Sequence, residues 1–107
     1  MILALLLVAL AFQPTDEELC YAHKAAPADV QAFMVRAADC NHWGGEEPYD
    51  AARRREINKA VAELRCTALS GDEKRLRGKY ARNQTVLNTI DISLEAYAWP
   101  VCKAVKR

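Results

Sequence analysis

The spacing of apolar residues along the chain predicts helices. In the segment PADVQAFMVRAADC, Val30, Phe33, Met34 and Ala37 recur at i, i+3, i+4 and i+7, which is one apolar stripe of an amphipathic helix, and Cys40 extends the stripe. No segment shows the strict alternation of a strand pair, and there is no repeat or low-complexity stretch. The expected fold class is therefore all-α, a small bundle of four or five short helices.

The start of the first helix carries its own signal. The residues from Thr15 to Glu18 have the form of a capping box, so a short helix should run to about Ala25. Pro27 ends that helix and precedes the next one.

The strongest periodic segment predicts a central helix over roughly residues 49–69, opened by Pro48 and Asp50. Its expected core face lies within one narrow arc: Ile57, Val61, Leu64 and Ala68. Cys66 falls near the opposite side, so this helix is expected to be packed on two sides.

Two weaker stripes predict the last helices. Ser70-Gly71-Asp72-Glu73 has the form of a second capping box, before a helix that stops near Asn83. Its stripe consists of Leu69, Leu76 and Tyr80. A final helix from about Thr85 to Ala98, ended by Trp99-Pro100, carries the stripe Val86, Leu87, Ile90, Leu94 and Tyr97.

The first twelve residues, MILALLLVALAF, carry no charge and are too few to cross a bilayer. Ala9-Leu10-Ala11 has the small residues of a cleavage site, so residues 1–11 are expected to be a signal peptide and 12–107 a single mature domain. No Lys or Arg precedes the apolar run. The expected location is periplasmic or secreted, with no stable membrane span after cleavage.

Export gives the four cysteines a structural meaning, because an even number in a short exported chain predicts a disulfide framework. Two disulfides are expected, and three pairings are open. Short loops favour Cys20–Cys40 with Cys66–Cys102, and the main rival is Cys20–Cys66 with Cys40–Cys102.

The net charge of +1 hides an asymmetry. Residues 12–50 hold eight acids and two bases, whereas residues 51–107 hold thirteen bases and six acids. Either the two halves face each other in the fold, or a basic face formed by Arg75, Lys79 and Arg82 binds an anionic partner. That partner would be a protein or an anionic envelope polymer. A nearly neutral chain without a nucleic-acid-binding motif excludes nucleic acid.

Within the segment CNHWGGEEPYD, the run NHWGGEE interrupts the helical period and is expected to be the one long irregular stretch. In a structural interpretation, Glu46, Glu47 and Asp50 cap the next helix, Gly44-Gly45 turn the chain, and Trp43 and Tyr49 anchor the loop to the core. In a recognition interpretation, the same loop presents His42 or Trp43 to a partner.

The same segment admits a chemical interpretation, in which His42 acts with Glu46 and Glu47 in a small hydrolase or a metal-binding protein. The spacing of Cys40 and His42 is not a standard zinc pair, and adjacent carboxylates tend to diverge. A metal thiolate would also leave an odd cysteine in an oxidising compartment. No metal, cofactor or catalytic residue is therefore expected.

The chain has an expected signal peptide, early cysteines at Cys20 and Cys40, a long polar helix and a late cysteine after an aromatic segment. In this combination it resembles small exported four-cysteine helical proteins of bacteria, including LprI-type lysozyme-inhibitor domains. This resemblance covers most of the mature chain. It implies an inhibitor of an envelope-directed enzyme such as lysozyme, and it implies no role for any single residue.

The expected function is that of a small, non-enzymatic, exported binding protein. Seven residues are its candidate binding residues: His42, Trp43, Glu46, Glu47, Arg75, Lys79 and Arg82.

Overall fold

A computed structural model describes residues 15–95. This part of the chain is helical throughout, without a strand. Its five α-helices are α1 (Asp16–Ala25), α2 (Ala28–Gly44), α3 (Ala51–Glu63), α4 (Leu69–Lys79) and α5 (Gln84–Ser93), and a short 3₁₀ helix (Cys66–Ala68) lies between α3 and α4. The all-α fold class is thus confirmed. The signal peptide, Tyr97, the Trp99-Pro100 helix end and Cys102 lie outside the described residues.

Helix α1 begins as its sequence predicts. The Glu18 N–H donates to Thr15 Oγ1 at 3.1 Å, and the Thr15 N–H donates to the Glu18 carboxylate at 3.3 Å, which completes the capping box. The helix ends at Ala25, before Pro27.

The core is built around α2, which packs against every other α-helix. All members of its apolar stripe are buried, which confirms the amphipathic pattern. They pack against buried residues of α4 and α5: Leu76, Val86 and Ile90. Leu69, Tyr80 and Leu94 cover the edges of this cluster. The apolar period of α4 is therefore used as the sequence predicts, and so are Val86, Ile90 and Leu94 of the α5 stripe. The predicted end of the last helix at Ala98 is wrong, because α5 ends at Ser93.

The predicted long helix over residues 49–69 is wrong. Helix α3 ends at Glu63, and the chain turns at Arg65, which has left-handed backbone angles of φ 55° and ψ 48°. No residue of α3 is buried, so the expected packing on two sides is wrong. The expected core face is half-buried and lies outside the core clusters. The turn has a physical cause outside the helix, because the Arg36 side chain donates to the carbonyl groups of both Leu64 and Arg65.

The second capping box is also wrong. The 3₁₀ helix leads directly into α4 at Leu69, so Ser70 lies inside the first helical turn, and Ala68 precedes the helix without a side-chain cap. Helix α4 ends at Lys79, and Asn83 has a different role from the one expected. Its side chain accepts a hydrogen bond from the Val86 N–H at 3.1 Å and so begins α5.

A disulfide joins Cys40 of α2 to Cys66 of the 3₁₀ helix. Both the favoured pairing and its main rival are therefore wrong. The turn at Arg65 is the reason, since it brings the chain back onto α2, where Cys40 is buried. Cys20 is buried and is not a free thiol.

Among residues 15–95, no helix is both long enough and apolar enough to span a membrane.

Candidate functional site

The segment that was expected to be a long irregular loop is mostly helical. Helix α2 continues through His42 and Trp43 to Gly44, and the Gly45 N–H donates to the carbonyls of Asn41 and His42 at 3.2 Å each. No described glycine has a positive φ, so the glycine pair does not serve as a left-handed turn. The irregular part is limited to the short connection from Gly45 to Asp50. His42 and Trp43 thus lie on a rigid last helical turn.

Glu46 connects the end of α2 to the start of α3. Its carboxylate lies 3.1 Å from His42 Nε2 and 3.2 Å from the guanidinium of Arg53. It is thus held between two donors instead of capping α3, as the sequence suggested. That cap is supplied by Asp50, whose carboxylate accepts from the Arg53 N–H at 2.7 Å, as expected.

Arg53 is the centre of this site. Its Cζ lies 5.3 Å from the centroid of the Trp43 ring and 6.0 Å from that of the Tyr49 ring, which is within the range of cation–π contacts. Its Nη1 also donates to Glu56 at 2.6 Å. The hydrogen bond to Glu56, followed by the one to Glu46, raises the pKa of Arg53 further above its ordinary value. We call Trp43, Tyr49 and Arg53 the aromatic–arginine cluster.

The structural interpretation expected both Trp43 and Tyr49 to anchor the loop to the core, and their exposure agrees with it for Trp43 only. Trp43 is half-buried, consistent with an anchoring role, but Tyr49 is 73% exposed and anchors nothing to the core. Tyr49 is the only large apolar residue that is strongly exposed among the described residues. Neither Tyr49 nor Arg53 is among the binding residues expected from the sequence. Arg53 could have been predicted from the Asp50 cap. This cap places Arg53 in the first turn of α3, and therefore beside the connection that precedes the helix.

The remaining residues of the segment are more exposed. The His42 side chain is about half exposed (52%), and its ring meets that of Trp43 edge-on at 5.8 Å between centroids. Glu47 is exposed and takes part in no ion pair recorded among residues 15–95. The structure therefore brings His42 and Glu46 together, but it does not add Glu47. Within the described range, no three His, Cys, Asp or Glu residues are grouped as metal ligands.

Of the three basic residues that were expected to line one face, two lie on α4 and the third does not. Arg75 pairs with Asp72 at 2.7 Å, and Lys79 pairs with Asp29 of α2 at 2.7 Å. Arg82 lies beyond the end of α4, in the exposed turn before α5. Arg75 and Lys79 therefore share one surface, and Arg82 is not part of the helix that carries them.

The end of α2 and the start of α3 thus bring one guanidinium within cation–π distance of two aromatic rings. Comparisons of the chain with protein-family models, with curated proteins and with solved structures give no match.

Proposed function

We propose that this protein is a non-enzymatic binding protein that recognises another protein through the aromatic–arginine cluster. The observation that supports the proposal is the 73% exposed Tyr49 ring beside an arginine that also contacts Trp43. Tyrosine, tryptophan and arginine are the residue types that contribute most binding energy at protein interfaces. An exposed aromatic ring on an otherwise polar surface is a feature that a partner can cover.

The cluster is also held in place before any partner arrives. Glu46 and Glu56 both bind the Arg53 guanidinium, whose side chain is only 19% exposed. Trp43 lies on the last turn of α2, and Arg53 lies in the first turn of α3. A surface with fixed side chains loses less conformational entropy on binding, which favours specific recognition.

The proposal includes export as a signal-peptide-bearing precursor and a mature domain over residues 12–107 in the periplasm or outside the cell. The Cys40–Cys66 disulfide supports it, because structural disulfides persist mainly in oxidising compartments. Since Cys20 is not free and Cys40 pairs with Cys66, we propose that the second bridge joins Cys20 to Cys102.

For the partner, we propose an envelope-directed enzyme such as lysozyme. The resemblance to LprI-type inhibitor domains supports this choice. In the complex, the Tyr49 side chain would insert into the partner or be covered by it. The other partner class considered, an anionic envelope polymer, would be recognised by cations rather than by an exposed ring.

The test is binding and inhibition of purified lysozyme by the mature protein, with two matched variants. Tyr49→Ala removes the exposed ring, and Arg54→Ala removes a neighbouring exposed arginine on α3. We expect Tyr49→Ala to weaken binding at least about tenfold and Arg54→Ala to change it less than about twofold. Circular dichroism checks that both variants remain folded.

Two outcomes would contradict parts of the proposal separately. If lysozyme is neither bound nor inhibited, the proposed partner is wrong. In that case, the mature protein is used to capture partners from envelope extract, and the Tyr49→Ala variant should lose whatever protein the wild type retains. Equal capture by both would show that the cluster is not the binding surface.

A further inference from the structure

A groove with a volume of about 490 Å³ lies between α2 and α4, away from the aromatic–arginine cluster. Its apolar lining consists of Ala32, Phe33 and Leu76, and the last two are buried core residues. Arg75 and Lys79 line its rim. Ala32 and Trp43 are eleven positions apart on α2, which corresponds to about 16 Å at 1.5 Å per residue. The groove is therefore a separate surface.

The two carboxylates of the groove already have their donors. Asp29 accepts from Lys79 Nζ at 2.7 Å and from the Tyr80 hydroxyl at 2.8 Å. Asp72 accepts from Arg75 at 2.7 Å and from Arg36 at 2.6 Å. These bonds lower the pKa of Asp29, chiefly through Lys79, and that of Asp72, chiefly through Arg75. Both groups are ionised and hydrogen-bonded at neutral pH, so they are poor sites for a ligand cation.

The two cations of the rim, by contrast, have donors to spare. Among the hydrogen bonds between described residues, Arg75 donates one, to Asp72, and Lys79 donates one, to Asp29. A guanidinium carries five N–H donors and an ammonium carries three. The side chains of Arg75 and Lys79 are 70% and 61% exposed. They stand at i and i+4 on α4, so they are neighbours on one helix face.

The groove thus combines two cationic side chains that have unused N–H donors with a short apolar floor. We propose that it binds the C-terminal carboxylate of a peptide whose last residue is bulky and apolar. The carboxylate accepts from Arg75 and Lys79, and the last side chain lies over Phe33 and Leu76. A floor of three apolar residues suits one side chain, whereas a long acyl chain would extend beyond it. This inference is independent of the proposed function and concerns a second surface.

The experiment titrates the folded, disulfide-bonded protein with N-acetyl-phenylalanine by heteronuclear NMR. The matched ligand is N-acetyl-phenylalanine amide, which has the same ring but no carboxylate, and acetate supplies a carboxylate without a ring. Octanoate tests the alternative ligand class, an acyl chain that ends in a carboxylate. We expect saturable amide shifts limited to α2 and α4 around Phe33 and Leu76, with the amide and acetate binding about tenfold more weakly or worse.

Two variants test the rim. Arg75→Gln removes one proposed donor at a mostly exposed position, so the fold should be retained. Lys74→Gln removes the same charge from the adjacent exposed position of α4, which does not line the groove. Arg75→Gln should weaken N-acetyl-phenylalanine about tenfold, while Lys74→Gln should keep the wild-type affinity.

Three results would overturn the proposal. The first is that N-acetyl-phenylalanine does not bind, or binds no better than its amide. The second is an equal loss of affinity in the Arg75 and Lys74 variants, which would indicate general charge attraction. The third is tighter binding of octanoate than of N-acetyl-phenylalanine, which would assign the groove to acyl carboxylates instead of peptide ends.

Discussion

Arg36 Nε donates a hydrogen bond of 2.6 Å to the carbonyl oxygen of Leu64, so a side chain in the middle of α2 caps the end of α3. The same guanidinium donates to the Arg65 carbonyl at 2.9 Å and pairs with Asp72 of α4 at 2.6 Å. One planar group therefore satisfies two carbonyls at a helix end and a carboxylate in the next helix. Helix α2 is thereby joined to the end of α3, which lies 28 positions later, and to the start of α4.

Replacing Arg36 should lower the free energy of unfolding by about 2 kcal/mol, because two backbone carbonyls lose a charged donor. Arg36→Lys is the informative variant, since it keeps the charge but cannot reach both carbonyls and Asp72 with one ammonium group. Urea denaturation measures the change. The control is Arg55→Lys at an exposed position of α3. Equal stability of Arg36→Lys and wild type would show that the charge alone matters.

The disulfide between Cys40 and Cys66 gives a second prediction. Tryptic mapping without reduction should recover a crosslinked peptide pair, because five basic residues lie between the two cysteines. For a separation of 26 residues, the Cys40→Ala/Cys66→Ala double variant should lose about 3–4 kcal/mol of stability through the released chain entropy. Recovery of Cys40 linked to Cys20 instead would contradict the fold around Arg65. The same map tests the proposed Cys20–Cys102 bridge.

The position of the core predicts unequal costs for the same substitution in two helices. Ile90 of α5 is fully buried in the main cluster, whereas Ile57 of α3 is only half-buried. Ile90→Ala should therefore cost about 3 kcal/mol and Ile57→Ala about 1 kcal/mol in the free energy of unfolding. Both are measured by urea denaturation with the disulfides intact. A larger loss from Ile57→Ala would restore α3 as the central helix.

Asp29 should make the stability of the fold depend on acid pH. Lys79 and then Tyr80 hold its pKa below the model-peptide value of 3.8. A carboxyl group whose pKa is lowered by folding stabilises the folded state above its unfolded pKa, and this contribution is lost as the pH falls through the lower value. The free energy of unfolding should thus decrease below about pH 4, and less so in Asp29→Asn.

A double-mutant cycle isolates the partner in this effect. The coupling between Asp29→Asn and Lys79→Gln should be stabilising at pH 7 and should be lost as the pH falls through the lowered pKa of the Asp29 carboxyl. The bridge is largely exposed, so the coupling at pH 7 should be small and should weaken further in high salt. A coupling that does not change with pH would contradict the assignment of Lys79 to Asp29.

Local signals in the sequence predicted a large part of this fold. The capping box at Thr15 and the Asp50 cap depend on neighbouring residues only, so they can be read directly from the chain. The apolar stripe from Val30 to Cys40 was also reliable, because a sustained 3.6-residue period leaves one buried face.

The errors arose where a distant contact overrides a local pattern. The periodic segment over 49–69 had no internal stop signal, and the residue that ends the helix, Arg36, lies 28 positions before Leu64. The disulfide pairing failed for the same reason, since short sequence loops were favoured and the return of the chain at Arg65 was not visible. A local pattern cannot encode a long-range cap.

The candidate site contains both a feature that the sequence indicated and one that it did not. The sequence singled out this segment, and the structure places His42, Trp43 and Glu46 together there. It did not indicate that Tyr49 is the exposed ring, because a glycine pair was interpreted as a loop although α2 continues as far as Gly44. That extra helical turn fixes Trp43 and leaves Tyr49 to project.

Helix α3 packs against α2 and is also held at its two ends, by Arg53 at the start and by Arg36 and the Cys66 disulfide just after the end. None of its residues is buried, and its outer positions, such as Asn58, Lys59 and Ala62, are exposed. The exposed residues in the middle of α3 can therefore be substituted without disturbing the core. An epitope or a labelling tag of good helix-forming residues can be grafted there while the remainder of the scaffold keeps its shape.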